Sequence, residues 1–202
     1  MGGCDKALVP FAASTLLGHV LARLQQQRVD PILLSANGDV QRFGAFGLPV
    51  VADTVPDNPG PLAGLLAGME WLQTHAPDTT DLVTVPTDTP FVPTDLVARL
   101  IEGRGGAEIA CAASGGRVQP VCAIWPVRLA PLLREVLTQE KLRRVDRWTA
   151  RFAFVEVAFS VEPVDPFLNV NTPEELAGAE AMFNSCARTT VPAPASSRHL
   201  PR

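Results

Sequence analysis

The sequence predicts an α/β domain whose mostly parallel sheet is covered by helices on both faces. Helical apolar patterns alternate with short, nearly unbroken apolar runs through the first half of the chain. Strands buried on both faces read that way. Apolar residues make up 47% of the 202 and charged residues 19%, which supplies a sizeable core and one domain rather than a disordered chain. We place that domain at residues 1–186. A tail over 187–202, rich in Pro, Ser and Arg, is expected to be disordered.

Each element has its own signal. Ser14 opens a helix whose face is Leu16, Leu17, Val20, Leu21 and Leu24, at helical spacing. Residues 31–35 and 48–52 are short buried strands, the second closed by Asp53. A Pro- and Asp-containing loop leads to Pro61, at the favoured first position of a helix faced by Leu62, Leu65, Leu66, Met69 and Leu72. Residues 81–86 form the next strand and end in Thr87-Asp88-Thr89-Pro90. A helix over 93–102 and a strand over 107–112 follow. Residues 117–125 are extended, and Pro120 within them predicts a sheet edge or a kink. Helices over 128–139 and 144–151, a strand over 152–159, an extended piece over 167–171 and a helix over 173–186 complete the domain.

Composition narrows the function. The formal net charge is −4, against the basic excess of a dedicated nucleic-acid binder. The four cysteines and three histidines are scattered, with no C-x-x-C and no H-E-x-x-H, so neither a disulfide scaffold nor a zinc site is expected. No apolar run approaches the length of a membrane span. The first residues lack the basic-then-apolar pattern of a secretory signal, so the expected location is the cytoplasm.

Four clusters carry chemistry. Gly2 and Gly3, followed by Lys6, allow backbone N–H groups to approach a phosphate beside a point charge. A frayed terminus has the same composition. Asp88, at the carboxyl end of a strand, suits Mg²⁺, which takes one or two carboxylates plus substrate phosphates. A turn-forming or capping Asp is the plainer alternative. Gly60 and Pro61 shape a loop into a helix N-terminus, where an anion or a base edge fits. In Asn169-Val-Asn-Thr-Pro-Glu-Glu-Leu176, Thr172, Pro173 and Glu175 account for a capped helix start. Asn169 and Asn171 are left over. They share a face of an extended segment and suit a ligand with mixed donors and acceptors. Ser35 and Asp53 likewise sit at strand carboxyl ends, where ligands bind open α/β sheets.

Taken in order, these motifs resemble the molybdenum cofactor guanylyltransferases of the MobA type. That family's pattern runs L-A-G-G-x-x-x-R-M-G-G-x-D-K, N-x-N, an Asp before G-P-L-A-G, C-D-T-P and N-V-N-T-P-E-E-L. The chain shows MGGCDK, SAN, VADTVPDNPGPLAG, TDTPFVP and NVNTPEEL, spread over about residues 1–185. The related cytidylyltransferases carry D-Q-P and D-I-D-T-P, so Asp88-Thr-Pro and Asn169-Val-Asn favour the guanylyl branch. The resemblance implies a three-layer Rossmann-like nucleotidyltransferase fold and transfer of GMP from GTP to the terminal phosphate of molybdopterin. It implies Mg²⁺ on Asp88, catalytic roles for Lys6 and Asp88, and nucleotide contacts at Gly2, Gly3, Lys6, Ser35, Asp53, Gly60, Pro61 and Asp88. Asn169 and Asn171 would lie on the cofactor side, and molybdoenzymes or their chaperones would be further partners. The alternatives are a cytidylyltransferase or another nucleotidyltransferase of the same fold, or an inactive truncated paralogue that binds cofactor.

Three departures stand out. Ser35 replaces the first Asn of N-x-N, and Thr87 replaces the Cys of C-D-T-P. The first strand and the L-A-G-G-x-x-x-R segment are missing. The expectation is a translation start placed too far downstream; the alternative, a real truncation that has lost activity, would leave the neighbours of a central strand with unpaired backbone groups, each costing about 1–3 kcal/mol if buried.

Overall fold

The computed structural model describes residues 5–56 and 60–189. A one-turn 3₁₀ helix, Lys6–Leu8, precedes a small hairpin of β1 (Pro10–Phe11) and β2 (Ser14–Thr15). Helix α1 (Leu16–Gln25) starts two residues after Ser14, with the Thr15 hydroxyl accepting from Gly18 N at 3.1 Å. Strands β3 (Leu34–Ser35) and β4 (Val50–Val51) pair in parallel, and a 3₁₀ segment, Val40–Phe46, that the sequence reading missed lies between them. Helix α2 (Pro61–His75) leads to β5 (Asp81–Thr84), then α3 (Leu96–Arg104), β6 (Ile109–Ser114) and β7 (Arg117–Pro126). Helices α4 (Ala130–Gln139) and α5 (Val145–Thr149), strand β8 (Phe154–Phe159) and helix α6 (Pro173–Thr189) complete the order. The backbone of α6 runs through 187–189, where the tail was expected to begin; the rest of the tail lies outside the described residues.

The main sheet has strand order β5-β7-β6-β8. Strands β5, β6 and β8 run in one sense and β7 runs against them. The expected placement of residues 117–125 at an edge is therefore corrected, because β7 lies between β5 and β6. Its Pro120 is tolerated there because the β6–β7 register shifts between Cys111 and Ala112, leaving Pro120 in a bulge with no ladder bond to make. The tight β6–β7 connection is Gly115-Gly116, both at positive φ (+53° and +74°). Two such residues in succession match the right-handed twist of a hairpin. Residues 167–171, expected to be extended, form no strand.

Strand alternation sorts side chains between the layers. Ile109, Cys111, Ala123 and Trp125 face α2, α4 and α5, packing with Leu66, Met69, Leu133 and Trp148. Ala110, Ala112, Cys122 and Ile124 face the other way, onto Val20 of α1 and Leu96 and Leu100 of α3. The result is the expected three-layer α/β architecture. Burial of each large side chain in these layers stabilises the fold by roughly 1.5–3 kcal/mol. Helix α6 closes one end through Phe183, which packs edge-on against Phe11 at 5.5 Å between ring centroids.

The two-stranded β3–β4 sheet does not pair with the main sheet among the described residues. A cleft separates β3 from β5.

Candidate functional site

The site lies at the carboxyl ends of β3, β4 and β5, where a doubly covered sheet leaves room for a ligand. Helix α2 carries the chain from the end of β4 back to the start of β5, so these three strands end together. Asp88 follows β5 in a turn pinned by the Thr89 hydroxyl, which donates to Pro86 O at 2.8 Å. Its own carbonyl accepts from Val170 N at 3.0 Å. That bond draws the 169–171 segment to the end of β5.

Three side chains distant in sequence meet here. The Lys6 ammonium donates to the Asp88 carboxylate and to Oδ1 of Asn171. The Asp88 side chain is 18% exposed and Lys6 33%, so the pair sits at the mouth of the cleft in partial contact with water. Asn171 is held by a capping box: Glu175 accepts from Asn171 N at 2.7 Å and from Thr172 N at 3.0 Å, and Thr172 Oγ1 accepts from Glu175 N at 3.1 Å. Asn169 is exposed two residues away.

A second group forms around Asp53. Asn37 Nδ2 donates to the Asp53 carboxylate at 2.8 Å, and Asp53 N donates back to Asn37 Oδ1 at 2.9 Å. Thr54 is tied down in turn, since Arg134 holds Glu70 through two bonds of 2.6 and 2.7 Å and reaches Thr54 Oγ1 at 2.9 Å. Ser35 is exposed at the end of β3. It packs so close to α2 that a Cβ on Gly64 would lie 2.5 Å from its hydroxyl oxygen. Gly60, at φ +84°, turns the chain into α2, and Pro61 takes the first helical position. Gly2 and Gly3 lie outside the described residues.

Sequence reasoning passed over two positioning residues. Arg42 Nε donates to Asp5 at 2.8 Å and Arg42 NH2 to Asn37 O at 2.8 Å, linking the stretch before Lys6 to the Asn37–Asp53 pair. Arg134 acts on Thr54 as described. Each lies far in sequence from what it holds, so no local pattern marks either one. Nucleophilic chemistry at Cys111 and Cys122 is disfavoured. Burial, reinforced by the Glu156 charge, pushes the Cys111 thiol up to about 12, and burial first and then Asp88 push Cys122 up as well. A nucleophilic thiolate needs the opposite shift.

Residues 1–152 match the family described as the MobA-like NTP transferase domain. The chain belongs to that family. It is therefore a nucleotidyltransferase. This MobA-like chain is 50% identical over 182 residues to a molybdenum cofactor guanylyltransferase of Rhodopseudomonas palustris (strain BisB5), a match covering 89% of this chain and 86% of that protein. It is 48% identical over 184 residues to the protein of the same name from Bradyrhizobium sp. (strain ORS 278), covering 90% and 86%. Among solved structures, it superposes on molybdopterin-guanine dinucleotide biosynthesis protein A of Archaeoglobus fulgidus with a TM-score of 0.66 at 20% identity, covering 91% of this chain and 92% of that one. A manganese complex of a Mycobacterium tuberculosis protein gives 0.67 at 20% identity, covering 89% and 93%. At such identities these structures establish the shared fold. No helix among the described residues of this MobA-like chain is long and apolar enough to cross a membrane.

Proposed function

We propose that the chain transfers GMP from GTP to the terminal phosphate of molybdopterin and releases pyrophosphate, in the cytoplasm. The observation that carries this reading is the meeting of Lys6, Asp88 and Asn171, the first and last 165 residues apart, at one strand end. The guanylyltransferase names of the relatives supply the nucleotide and the acceptor.

In the reaction, an oxygen of the cofactor's phosphate forms a bond to the α-phosphorus of GTP while the bond from that phosphorus to the bridging oxygen breaks. Pyrophosphate leaves with the electron pair. No protein nucleophile is needed, and catalysis is positioning plus charge stabilisation. Lys6, held between Asp88 and Asn171, presents its ammonium to the triphosphate. The backbone of Gly2 and Gly3 and the α2 N-terminus at Gly60-Pro61 receive further phosphate oxygens. Asp53, fixed by Asn37, has a free acceptor for N–H groups of the guanine edge, and Ser35 adds a short donor beside it. Asn169 and Asn171 meet the cofactor.

The donor set fits Mg²⁺. Asp88 offers hard carboxylate oxygens at a partly open site, and Mg²⁺ completes its shell with phosphate oxygens and water rather than an all-protein cage. Among the described residues there is no cluster of three His, Cys, Asp or Glu that would hold a metal by itself. When bound, the ion offsets charge on the phosphates.

The test is pyrophosphate release from GTP, molybdopterin and Mg²⁺. Asp88→Asn is expected to lower turnover by about a hundredfold or more, the loss of several kcal/mol of charge stabilisation, with an unchanged circular dichroism spectrum. Retained turnover in the Asn variant would remove Asp88 from the metal role.

A further inference from the structure

The two groups of side chains at the site come from different parts of the chain. Lys6 stands on the 3₁₀ turn Lys6–Leu8, and Asp53 follows β4. Among the described residues, no hydrogen bond runs directly from the Lys6 turn to Asn37 or Asp53. A ligand that touches both groups has a fixed span, so whatever sets the distance between them controls how well both can be used at once.

One side chain spans the gap. Arg42 lies on the 3₁₀ segment Val40–Phe46, and its guanidinium reaches three acceptors. Nε donates to Asp5 Oδ2 at 2.8 Å, Nη2 donates to Asn37 O at 2.8 Å, and Nη1 donates to Asp39 O. Its Cζ sits 4.4 Å from the centroid of the Phe43 ring, and Phe43 is itself buried in a cluster with Ala7 and Leu34. The fork is therefore held from below as well as at its tips. Asp5 does two jobs. While one carboxylate oxygen holds Arg42, the other accepts from Ala7 N at 3.1 Å and caps the turn that carries Lys6. At the far end, Asn37 offers its carbonyl to Arg42 and its amide to Asp53. An unbroken path of bonds thus runs from the Lys6 turn through Asp5, Arg42 and Asn37 to Asp53. The side chains of Arg42 and Asp5 are only 28% and 27% exposed, so salt screens this pair less than an open surface pair. Only a planar fork serves several separated acceptors in this way; a lysine ammonium is a single point.

We propose that Arg42 is a positioning residue that fixes the span between the triphosphate end and the base end of the nucleotide site. The identity of the two ends rests on the guanylyl reading. Arg42 acts through Asp5 and Asn37 and touches no part of the nucleotide. A ligand that reaches both ends benefits from a span set before it binds, because less ordering is left to do. A ligand that reaches one end gains nothing from that span. Arg42 thereby makes the site selective for a base and a triphosphate joined in one molecule, each end raising the effective concentration of the other.

The test is Arg42→Lys, which keeps a cation beside Asp5 and loses the fork. Binding of GTP, guanosine and inorganic tripolyphosphate, each with Mg²⁺, is compared with the unsubstituted chain by calorimetry. GTP is expected to bind the variant about tenfold more weakly, with guanosine and tripolyphosphate each within about twofold of the unsubstituted chain. A second readout needs no ligand. Hydrogen exchange at the Asp53 N–H, whose acceptor is the Asn37 side chain, is expected to speed up by about threefold or more in Arg42→Lys, and also in Asp5→Asn at the opposite end of the path. Unchanged GTP affinity would overturn the proposal. So would a loss of tripolyphosphate binding equal to that of GTP, which would make Arg42 a direct phosphate contact. Exchange at Asp53 that ignores both substitutions would overturn it as well. If the unsubstituted chain binds no GTP, the guanylyl reading fails and the exchange result decides the role of Arg42 by itself.

Discussion

The two sides of the cleft are built from similar apolar material and end very differently. On one side, β6 and β7 are six and ten residues long, and both faces of each are covered. On the other, β3 and β4 are two residues each, although the sequence reads as five-residue strands there, over 31–35 and 48–52. The difference teaches that an apolar run sets which residues are buried, while ladder partners set how far a strand extends. A strand with one open edge stays regular only where its single neighbour holds it.

That contrast can be broken by mutation. The largest effect is expected in the closed half. Trp125 is fully buried and its indole N–H donates to Thr84 Oγ1 at 2.9 Å, joining β7 to β5. Trp125→Ala is expected to cost about 3–5 kcal/mol, read as a lower urea midpoint. A loss below about 1 kcal/mol would mean that this half is not the stable one. A matched pair sharpens the comparison. Leu66, buried on α2 against the main sheet, and Leu34, at the cleft, are both nearly inaccessible. Truncation to Ala is expected to cost about 4 kcal/mol at Leu66 and about 2 kcal/mol at Leu34, the two ends of the usual range, because the walls of an open cleft relax more easily. Equal costs would contradict the difference between the halves.

A smaller effect is linked to pH. Cys111 and Cys122 lie in the closed half, and burial raises both thiols above the ordinary value of 9.0. Between that value and about 12, the unfolded chain has given up thiol protons that the folded chain retains. Stability is therefore full below pH 9 and falls as pH rises above it. Urea midpoints at pH 8 and pH 10 should differ in that direction, and Cys111→Ala should shrink the difference. A midpoint that rises with pH would contradict the burial of these thiols.

Much of this was legible in the sequence, and the reasons are local. Helix α2 follows from Pro61 and the spacing of Leu62, Leu65, Leu66, Met69 and Leu72, all of which are buried. The capping box at Thr172 and Glu175 reads directly from its spacing. Asp88 at a strand end was legible for the same reason. What escaped depends on contacts across the chain. Pro120 argues for an edge strand until the bulge opposite Cys111 is seen. Arg42 has no local signal, since its partners Asp5 and Asn37 O come from a different segment and from a backbone atom. The engagement of Lys6 by Asn171 spans 165 residues and could be suspected only from the order of the motifs.

The most direct test of the account is equilibrium binding of GTP against CTP, each with Mg²⁺, to the 202-residue chain. Selective binding of GTP, weakened by Asp53→Asn, is the result the account predicts. Binding of CTP as tight as GTP, unaffected by that substitution, would contradict it.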